Sequence, residues 1–184
     1  ILHYNFLSKS EKRLFNMIII YIMHKYYSEI IYGGVDGLIT TFAIIAGSLG
    51  GNLSTTVIII LGLASILADG FSMGISSYLA EKSRYNGGNP IIVGVITFLS
   101  FILIGIFPLI PFFFKFNNQF NISSYILGIL LFVLGYLKGT FMDGLETFFI
   151  GGIAAFIAYY SAKAIANYED KINEKQETDE DKKK

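Results

Sequence analysis

The sequence contains no cysteine, no tryptophan and only two histidines among its 184 residues. The absence of cysteine excludes disulfides, cysteine-ligated zinc or iron–sulfur sites and thiolate nucleophiles. Both histidines, His3 and His24, precede the first long apolar segment. The apolar segments therefore contain no histidine for a metal site and no Ser–His or Cys–His pair, so we do not expect an enzyme.

Charge is also scarce, at 15% of the residues, whereas about a quarter of the residues in a typical soluble domain are charged. The mean hydropathy is +0.57. Seven of the 14 acids and six of the 14 bases lie in residues 163–184, which leaves an apolar body with isolated charges. No basic stripe interleaved with aromatic residues is present, so nucleic acid is not an expected partner. The composition predicts a protein embedded in the lipid bilayer.

Five segments have the roughly 20 mostly apolar residues that a transmembrane helix needs. They are residues 30–50, 53–80, 90–114, 122–137 and 144–166. The predicted fold class is an all-α integral membrane protein with five transmembrane helices.

Residues 1–29 form a different kind of segment. Leu14, Ile18 and Ile22 recur at helical spacing, but the apolar core is only about ten residues long and too short to span a bilayer. We predict an amphipathic N-terminal helix lying in the membrane interface, with a helix packed on the soluble side as the alternative. Residues 30–166 then form the transmembrane domain, and residues 167–184 a polar tail that we expect to be disordered.

Lysine and arginine are enriched in the cytosolic loops of membrane proteins. If the N-terminus is cytosolic, only Lys115 lies in an outside loop, and the other basic residues near the span ends are inside. These are Lys9, Lys12, Arg13, Lys25, Lys82, Arg84 and Lys138. We therefore expect a cytosolic N-terminus. Because five spans do not divide into an inverted repeat, we expect two chains to pair as a homodimer.

Two acids, Asp36 and Asp69, lie inside the first and second predicted spans. A carboxylate at bilayer depth costs at least about 2.5–3.5 kcal/mol on insertion scales, and no basic residue lies at matching depth in either span. A protonated aspartic acid hydrogen-bonded between helices is one interpretation. A path for cations or protons is the interpretation that we prefer.

The spacing of the acids predicts a ladder along the first two antiparallel spans. Glu29 is seven residues before Asp36, on the same helical face and roughly 10 Å away along the axis. Met73 lies eight residues before Glu81 and so near the depth of Asp36. Glu29 and Glu81 would lie at the cytosolic mouth, Asp36 and Met73 inside, and Asp69 beyond.

Buried methionines usually fill space in a core, but Met73 lies beside two acids. A thioether combined with carboxylates suits first-row divalent ions better than Mg²⁺ or Ca²⁺. The predicted metal ligands are therefore Asp36, Met73, Asp69, Glu29 and Glu81.

Three pairs of glycines have the four-residue spacing that lets helix backbones approach closely. They are Gly33 and Gly37, Gly70 and Gly74, and Gly135 and Gly139. Spacing does not distinguish packing within one chain from packing across a dimer.

Asp143 and Glu146 open the fifth predicted span. Their spacing indicates an N-cap followed by an acid three residues later, with Lys138 as a plausible ion-pair partner. Pro108 and Pro111 predict a kink or an end late in the third span.

Three blocks of sequence together carry a family resemblance. The first is Glu29-Ile-Ile-Tyr-Gly-Gly-Val-Asp-Gly-Leu-Ile-Thr-Thr, the second Asp69-Gly-Phe-Ser-Met-Gly-Ile-Ser-Ser-Tyr, and the third Gly144-Leu-Glu-Thr-Phe-Phe-Ile-Gly-Gly. They resemble the first, second and fifth spans of the vacuolar iron transporter family, and the resemblance extends from about Glu29 to Ala166.

The resemblance implies a five-span homodimer that exports Fe²⁺, often also Mn²⁺, from the cytosol in exchange for protons, and so serves metal homeostasis. The family's in-membrane Asp and Met fall on Asp36 and Met73, and its cytosol-side acid falls on Glu29. No cofactor is implied beyond the transported ion and the protons. The expected location is a vacuolar or other endomembrane in a eukaryote, or the plasma membrane in a prokaryote.

Two departures from the family pattern are visible. Several members carry a Glu where this chain has Ser65, and Asp69 follows one turn later as a possible substitute. Iron-selective members carry a long Glu- and Met-rich cytosolic insert between spans two and three, where this chain has only residues 83–89. The chain thus resembles the nodulin-like, short branch. A carrier mainly for Mn²⁺ and a non-transporting membrane scaffold remain the alternative functions.

Overall fold

The computed structural model describes Met17 and residues 25–84 and 88–181 of the chain. Within these residues the structure consists of helices and short turns, without strands. The elements are α1 (Tyr27–Gly50), α2 (Thr55–Lys82), α3 (Pro90–Gly105), a 3₁₀ turn (Phe107–Leu109), α4 (Ile110–Phe113), α5 (Gln119–Lys138) and α6 (Phe141–Asp181).

Five helical stretches in the described residues are long and apolar enough to cross a membrane. They are Tyr27–Gly50, Thr55–Lys82, Pro90–Phe113, Gln119–Lys138 and Phe141–Tyr168. This confirms the predicted all-α integral membrane fold with five spans, with boundaries shifted by one to three residues at most ends. The predicted amphipathic N-terminal helix lies outside the described residues except for Met17 and residues 25–29, and it stays a prediction.

The third span is interrupted where its two prolines occur. α3 ends at Gly105, the 3₁₀ turn contains Pro108, and α4 contains Pro111. Proline has no backbone N–H and its ring crowds the preceding turn, so a regular helix cannot continue through both positions. The hydroxyl of Ser123 on α5 donates a hydrogen bond of 2.8 Å to the Pro108 carbonyl. The predicted kink is therefore present and is tied to the fourth span.

The last helix extends beyond the end expected from its hydropathy. α6 continues to Asp181, whereas the sequence predicts a disordered tail from residue 167. That expectation rests on the scarcity of apolar residues, but the tail is rich in Glu, Lys and Gln, which have good helix propensity. A helix that is already formed also grows without a new nucleation step. The described part of the tail is helical, and the domain boundary at residue 166 stays a prediction.

α1 is the central helix of the bundle, because it packs against α2, α3, α5 and α6. Half of its most apolar stretch is buried, compared with 6% of that of α6. One core cluster joins Leu38 and Phe42 of α1 to Leu131 of α5. A second joins Ile45 to Ile58 of α2 and Leu109 of the 3₁₀ turn. Residues on α1 are consequently held in place from several sides.

The glycine pairs of the first two spans pack within one chain. A Cβ placed on Gly37 would lie 2.5 Å from the Phe101 carbonyl oxygen, and one on Gly74 would lie 2.9 Å from the Gly94 carbonyl oxygen. α1 and α2 therefore both contact α3 backbone to backbone. These close approaches orient α1 and α2 relative to each other across α3.

The start of α6 has a capping box, one turn earlier than the sequence predicts. The Thr140 hydroxyl accepts a hydrogen bond of 3.3 Å from the Asp143 N–H, and the Asp143 carboxylate accepts one of 2.6 Å from the Thr140 N–H. This reciprocal pattern makes Thr140 the N-cap and Asp143 the acid at the third position. The capping role of Asp143 is confirmed, but its assignment as the N-cap itself was wrong.

Candidate metal site

Two adjoining cavities lie along α1 and α2, and together they are lined by all five predicted metal ligands. The first, with a volume of 680 Å³, is lined by Glu29, Asp36 and Glu81 among others. The second, with a volume of 660 Å³, is lined by Asp36, Asp69 and Met73. Asp36 lines both cavities and so lies where they meet.

The order of these residues along the helices follows from helix geometry. Glu29 is in the first turn of α1, and Asp36 is two turns further, roughly 10 Å along the axis. On α2, Glu81 is in the last turn, Met73 about two turns before it, and Asp69 one turn deeper. The first cavity therefore lies at the side of the bundle where α1 begins, and the second reaches toward its middle.

Asp36 and Asp69 come from different helices and line the second cavity together. Both are exposed in the single chain, and as two carboxylates that line one cavity they repel each other when both are charged. The Ser65 hydroxyl donates a hydrogen bond to the Asp69 carboxylate one turn away. Ser65 thus orients the Asp69 carboxylate within the second cavity.

Met73 lines the second cavity together with these two acids and is partly exposed. The same wall carries the hydroxyl groups of Ser72 and Ser76, both on α2. A methionine serving only as core filling would pack among apolar neighbours. Met73 instead shares a cavity wall with two carboxylates and several hydroxyl groups.

Glu81 is 7% exposed and already has two partners. Arg84 donates to its Oε2 at 3.0 Å, and the Gly88 N–H donates to its Oε1. The carboxylate therefore fastens the connection between α2 and α3 as well as lining the first cavity. Glu29, the other acid predicted at the mouth, has fewer partners. Its one hydrogen bond among the described residues comes from the adjacent Ser28 hydroxyl, at 2.9 Å.

Sequence reasoning did not assign Arg84 and Lys138 to the site, although both line the first cavity with the acids. Arg84 follows Glu81 by three residues, a spacing that brings side chains together on a helix, and this signal could have found it. Lys138 ends α5, which is far from the acids in sequence. Only the packing of α5 beside α1 brings it to the cavity.

No group of three or more His, Asp or Glu side chains is close enough to hold a metal ion within residues 25–84 and 88–181. One chain instead presents a row of acids along α1 and α2, with Met73 and serine hydroxyls between them. Such an arrangement can pass a cation from one carboxylate to the next. It offers each position fewer ligands than a closed metal site would have.

Comparison with known proteins shows which family this sequence matches. The model of the VIT family matches residues 27–87 and 82–163. These two segments include every residue of the two cavities named above, and they meet at the connection between α2 and α3. No solved structure matches the chain.

Curated relatives include a vacuolar iron transporter of Toxoplasma gondii, 42% identical over 59 residues, or 32% of this chain and 20% of that protein. Vacuolar iron transporter 1 of Arabidopsis thaliana is 44% identical over 56 residues, 30% of this chain and 22% of that protein. Vacuolar iron transporter 1 of Tulipa gesneriana is 25% identical over 212 aligned positions, 74% of this chain and 86% of that protein.

The chain thus spans only about a fifth of the length of the Toxoplasma and Arabidopsis relatives in these alignments, but most of the tulip protein. The family match is more extensive, since it runs almost without interruption from the first turn of α1 into the outer part of α6. The chain belongs to the VIT family of membrane proteins.

Proposed function

We propose that this protein transports divalent transition metal ions, Fe²⁺ or Mn²⁺ or both, across a membrane in exchange for protons. The observation that carries the proposal is the position of Asp36, which lines both cavities along α1 and α2. An ion that enters the first cavity meets this carboxylate before it can reach Met73 and Asp69. The names of the curated relatives, vacuolar iron transporters, agree with metal as the cargo.

The ligand chemistry favours a first-row divalent ion. Glu29 would attract the cation electrostatically at the mouth, and Asp36 with Met73 would coordinate it inside. Carboxylates alone suit Mg²⁺ and Ca²⁺, whereas a thioether adds preference for softer ions. Asp69, held by Ser65, would receive the ion next.

Protons are the coupling ion in this proposal, because both in-membrane ligands that carry charge are carboxylates. A carboxylate binds a metal ion only when deprotonated, so protons and metal compete for Asp36 and Asp69. Protonation from the acidic side of the membrane would release the metal. Either a bound metal ion or a proton would relieve the mutual repulsion of the two carboxylates.

We propose that two chains pair along the face that carries Asp36, Asp69 and Met73. That face is open in the single chain, and carboxylates facing lipid would each cost at least about 2.5–3.5 kcal/mol. A second copy would cover the face and double the ligands, so that two carboxylates and two thioethers meet one ion. A two-fold axis is the commonest symmetry by which identical chains associate.

The cytosolic orientation of the N-terminus, and therefore export from the cytosol, is also part of the proposal. It is supported by the predominance of Lys and Arg at the side where α1 begins, where Arg84 and Lys138 line the first cavity. In a eukaryote this places the chain in a vacuolar or other endomembrane, and in a prokaryote in the plasma membrane.

The test is a flux assay with the purified full chain in liposomes. Entrapped metal-sensitive and pH-sensitive dyes report metal uptake and proton movement while Fe²⁺, Mn²⁺ or Ca²⁺ is added outside. We expect Fe²⁺ or Mn²⁺ uptake to drive proton movement in the opposite direction, and Ca²⁺ to give little of either. Metal uptake without any proton flux would refute the antiport step, and absence of uptake would refute the transport function.

Competition between the two metals distinguishes the alternatives. A carrier mainly for Mn²⁺ would continue to take up Mn²⁺ when Fe²⁺ is in excess. The absence of a long segment between α2 and α3, where the two family matches meet, makes this alternative worth testing. A non-transporting scaffold would give no flux with either metal.

A further inference from the structure

A second kind of surface shares no lining residue with the two cavities of the metal site. A groove with a volume of 320 Å³ runs between α1, α5 and α6, at the lower end of the usual 300–1,000 Å³ range for small-molecule sites. Its wall includes Phe42, Phe120, Gly128, Gly152, Tyr159 and Tyr160. The Ser124 hydroxyl, one of the few polar groups in the wall, already donates to the Phe120 carbonyl at 2.8 Å. The groove is therefore suited to an apolar occupant.

Gly152 leaves part of this groove empty. A Cβ added to Gly152 would have no atom within 4 Å, whereas one added to the adjacent Gly151 would lie 2.2 Å from Leu131. Small residues in membrane helices normally allow close helix packing, and Gly151 serves that purpose. A Cβ at Gly152 would meet no neighbouring helix, so the place of its missing side chain is open.

The groove is about as long as one leaflet is thick. Its wall on α6 extends from Phe148 to Tyr160, which is roughly 18 Å of helix, compared with about 15 Å for half of a bilayer's hydrocarbon core. Its outer end is level with the end of α1, because a Cβ on Gly50 would lie 3.2 Å from the Lys163 N–H nitrogen. The groove thus extends from near the surface at which α1 ends, past Gly152, into the membrane interior.

A positive charge lies at that outer end. The Lys163 ammonium group is 5.8 Å from the centre of the Tyr159 ring, and Tyr159 is part of the groove wall. An ammonium group above an apolar groove one leaflet deep is complementary to a phospholipid, whose phosphate lies at the surface and whose acyl chain extends inward.

A second groove, between α2 and α3, is a useful comparison for the groove between α1, α5 and α6. It is also apolar and also ends near a lysine over a tyrosine, Lys82 over Tyr78. Its glycines, however, are in backbone contact, since a Cβ on Gly94 would lie 2.8 Å from the Gly74 carbonyl oxygen. Close helix packing explains why glycine is present at those two positions, but it does not explain the glycine at position 152.

We propose that the groove between α1, α5 and α6 binds one anionic phospholipid from the leaflet at which α1 ends. Its acyl chain lies against Gly152 and the stacked rings of Phe42, Phe120 and Tyr159, and its phosphate lies at Lys163. This site is separate from the proposed metal path, and neither depends on the other.

Native mass spectrometry of the full chain, released from nanodiscs of phosphatidylglycerol and phosphatidylcholine, tests the site. We expect a retained lipid that is enriched in phosphatidylglycerol. Gly152→Phe fills the groove and should abolish this retention, while Ile153→Phe, which places a phenylalanine on an exposed neighbour outside the groove, should not. Gly152→Leu repeats the test with less bulk if the phenylalanine variant does not accumulate.

Lys163→Gln tests the headgroup separately. A basic residue at an anionic surface favours binding by a modest energy, so this variant should lower the preference for phosphatidylglycerol about five-fold. Lys171→Gln, two turns further along α6, should leave it unchanged. Equal retention in wild type and both Gly152 variants would overturn the site, and so would a change in the number of chains per particle without loss of lipid. The second result would mean that another copy occupies the groove.

Discussion

Asp36 on α1 and Asp69 on α2 line one cavity, so their carboxylates repel each other when both are charged. No lysine or arginine among the described residues lines that cavity, so the repulsion is not balanced locally. A divalent cation bound between the two acids would remove it, and so would protonation of either one. The pair is therefore suited to exchanging one kind of positive charge for another, which is what metal–proton antiport requires.

The first prediction concerns the acid shared by both cavities. Asp36→Asn keeps the size of the side chain but removes its charge, so the ion loses its central anionic ligand. We expect metal uptake into liposomes to fall at least about ten-fold, since the loss even of groups that only support metal ligands typically costs 10–100-fold in affinity or activity. Glu146→Gln is the matched control, because Glu146 is exposed on α6 and lines neither cavity. Normal uptake by Asp36→Asn would contradict the proposed path.

The second prediction concerns discrimination between metals. Met73→Leu keeps an apolar side chain of similar volume, a change that cores usually tolerate, and removes the thioether. We expect Fe²⁺ and Mn²⁺ uptake to fall while inhibition by Mg²⁺ and Ca²⁺ becomes stronger, because the remaining ligands are all oxygen. The measurement is inhibition of Mn²⁺ uptake by Ca²⁺ in wild type and variant. An unchanged inhibition curve would mean that Met73 is a packing residue.

Sequence patterns were sufficient for the features that depend on hydropathy and helical spacing. The five spans follow from apolar length, and the joint position of Asp36, Asp69 and Met73 follows from counting turns along two antiparallel helices. The kink at Pro108 follows from the missing N–H. The assignment of these residues as metal ligands stays a prediction, because geometry brings them together without showing an ion.

Features that depend on how the chain reverses direction could not be read from the sequence. The hydrogen bond from the Gly88 N–H to Glu81 requires the connection after α2 to fold back over that helix. Lys138 reaches the first cavity only because α5 packs beside α1. The capping box at Thr140 was assigned one turn too late because threonine and aspartate are both good N-caps, and spacing alone does not choose between them.

The third prediction concerns the ion pair at the mouth. Arg84→Gln removes the cation bound to Glu81 and frees a carboxylate in the first cavity for the metal. We expect the metal concentration for half-maximal uptake to fall, by at most about five-fold, since the exposed arginine is screened by solvent and such pairs contribute up to about 1 kcal/mol. The fall should shrink at high ionic strength.

Lys82→Gln is the control for this third prediction. Lys82 is an adjacent exposed cation whose ammonium group lies near the Tyr78 ring rather than at Glu81. If both variants lowered the half-maximal concentration equally, the effect would come from general surface charge, and Glu81 would have no specific role in metal capture. If neither changed it, Glu81 would serve only to fasten the connection between α2 and α3.

The fourth prediction compares two glycines that have opposite surroundings. A Cβ on Gly37 would lie 2.5 Å from the Phe101 carbonyl oxygen, a backbone atom that cannot move independently of α3. Gly37→Ala should therefore force α1 and α3 apart and destabilise the protein by about 1–3 kcal/mol, the usual range for overpacking. Gly152→Ala meets no atom within 4 Å and should be neutral or stabilising by up to about 1 kcal/mol, the helix-propensity advantage of alanine over glycine.

Thermal unfolding in detergent, followed by circular dichroism, measures this difference. We expect a clearly lower midpoint for Gly37→Ala and an unchanged or slightly higher one for Gly152→Ala. Because Asp36 precedes Gly37 on the same helix, moving α1 away from α3 should also disturb the cavity it shares with α2, so metal uptake should fall together with stability. If the two variants had equal midpoints, the contact between α1 and α3 at Gly37 would not limit the size of the side chain there. It would then not be the contact that positions Asp36.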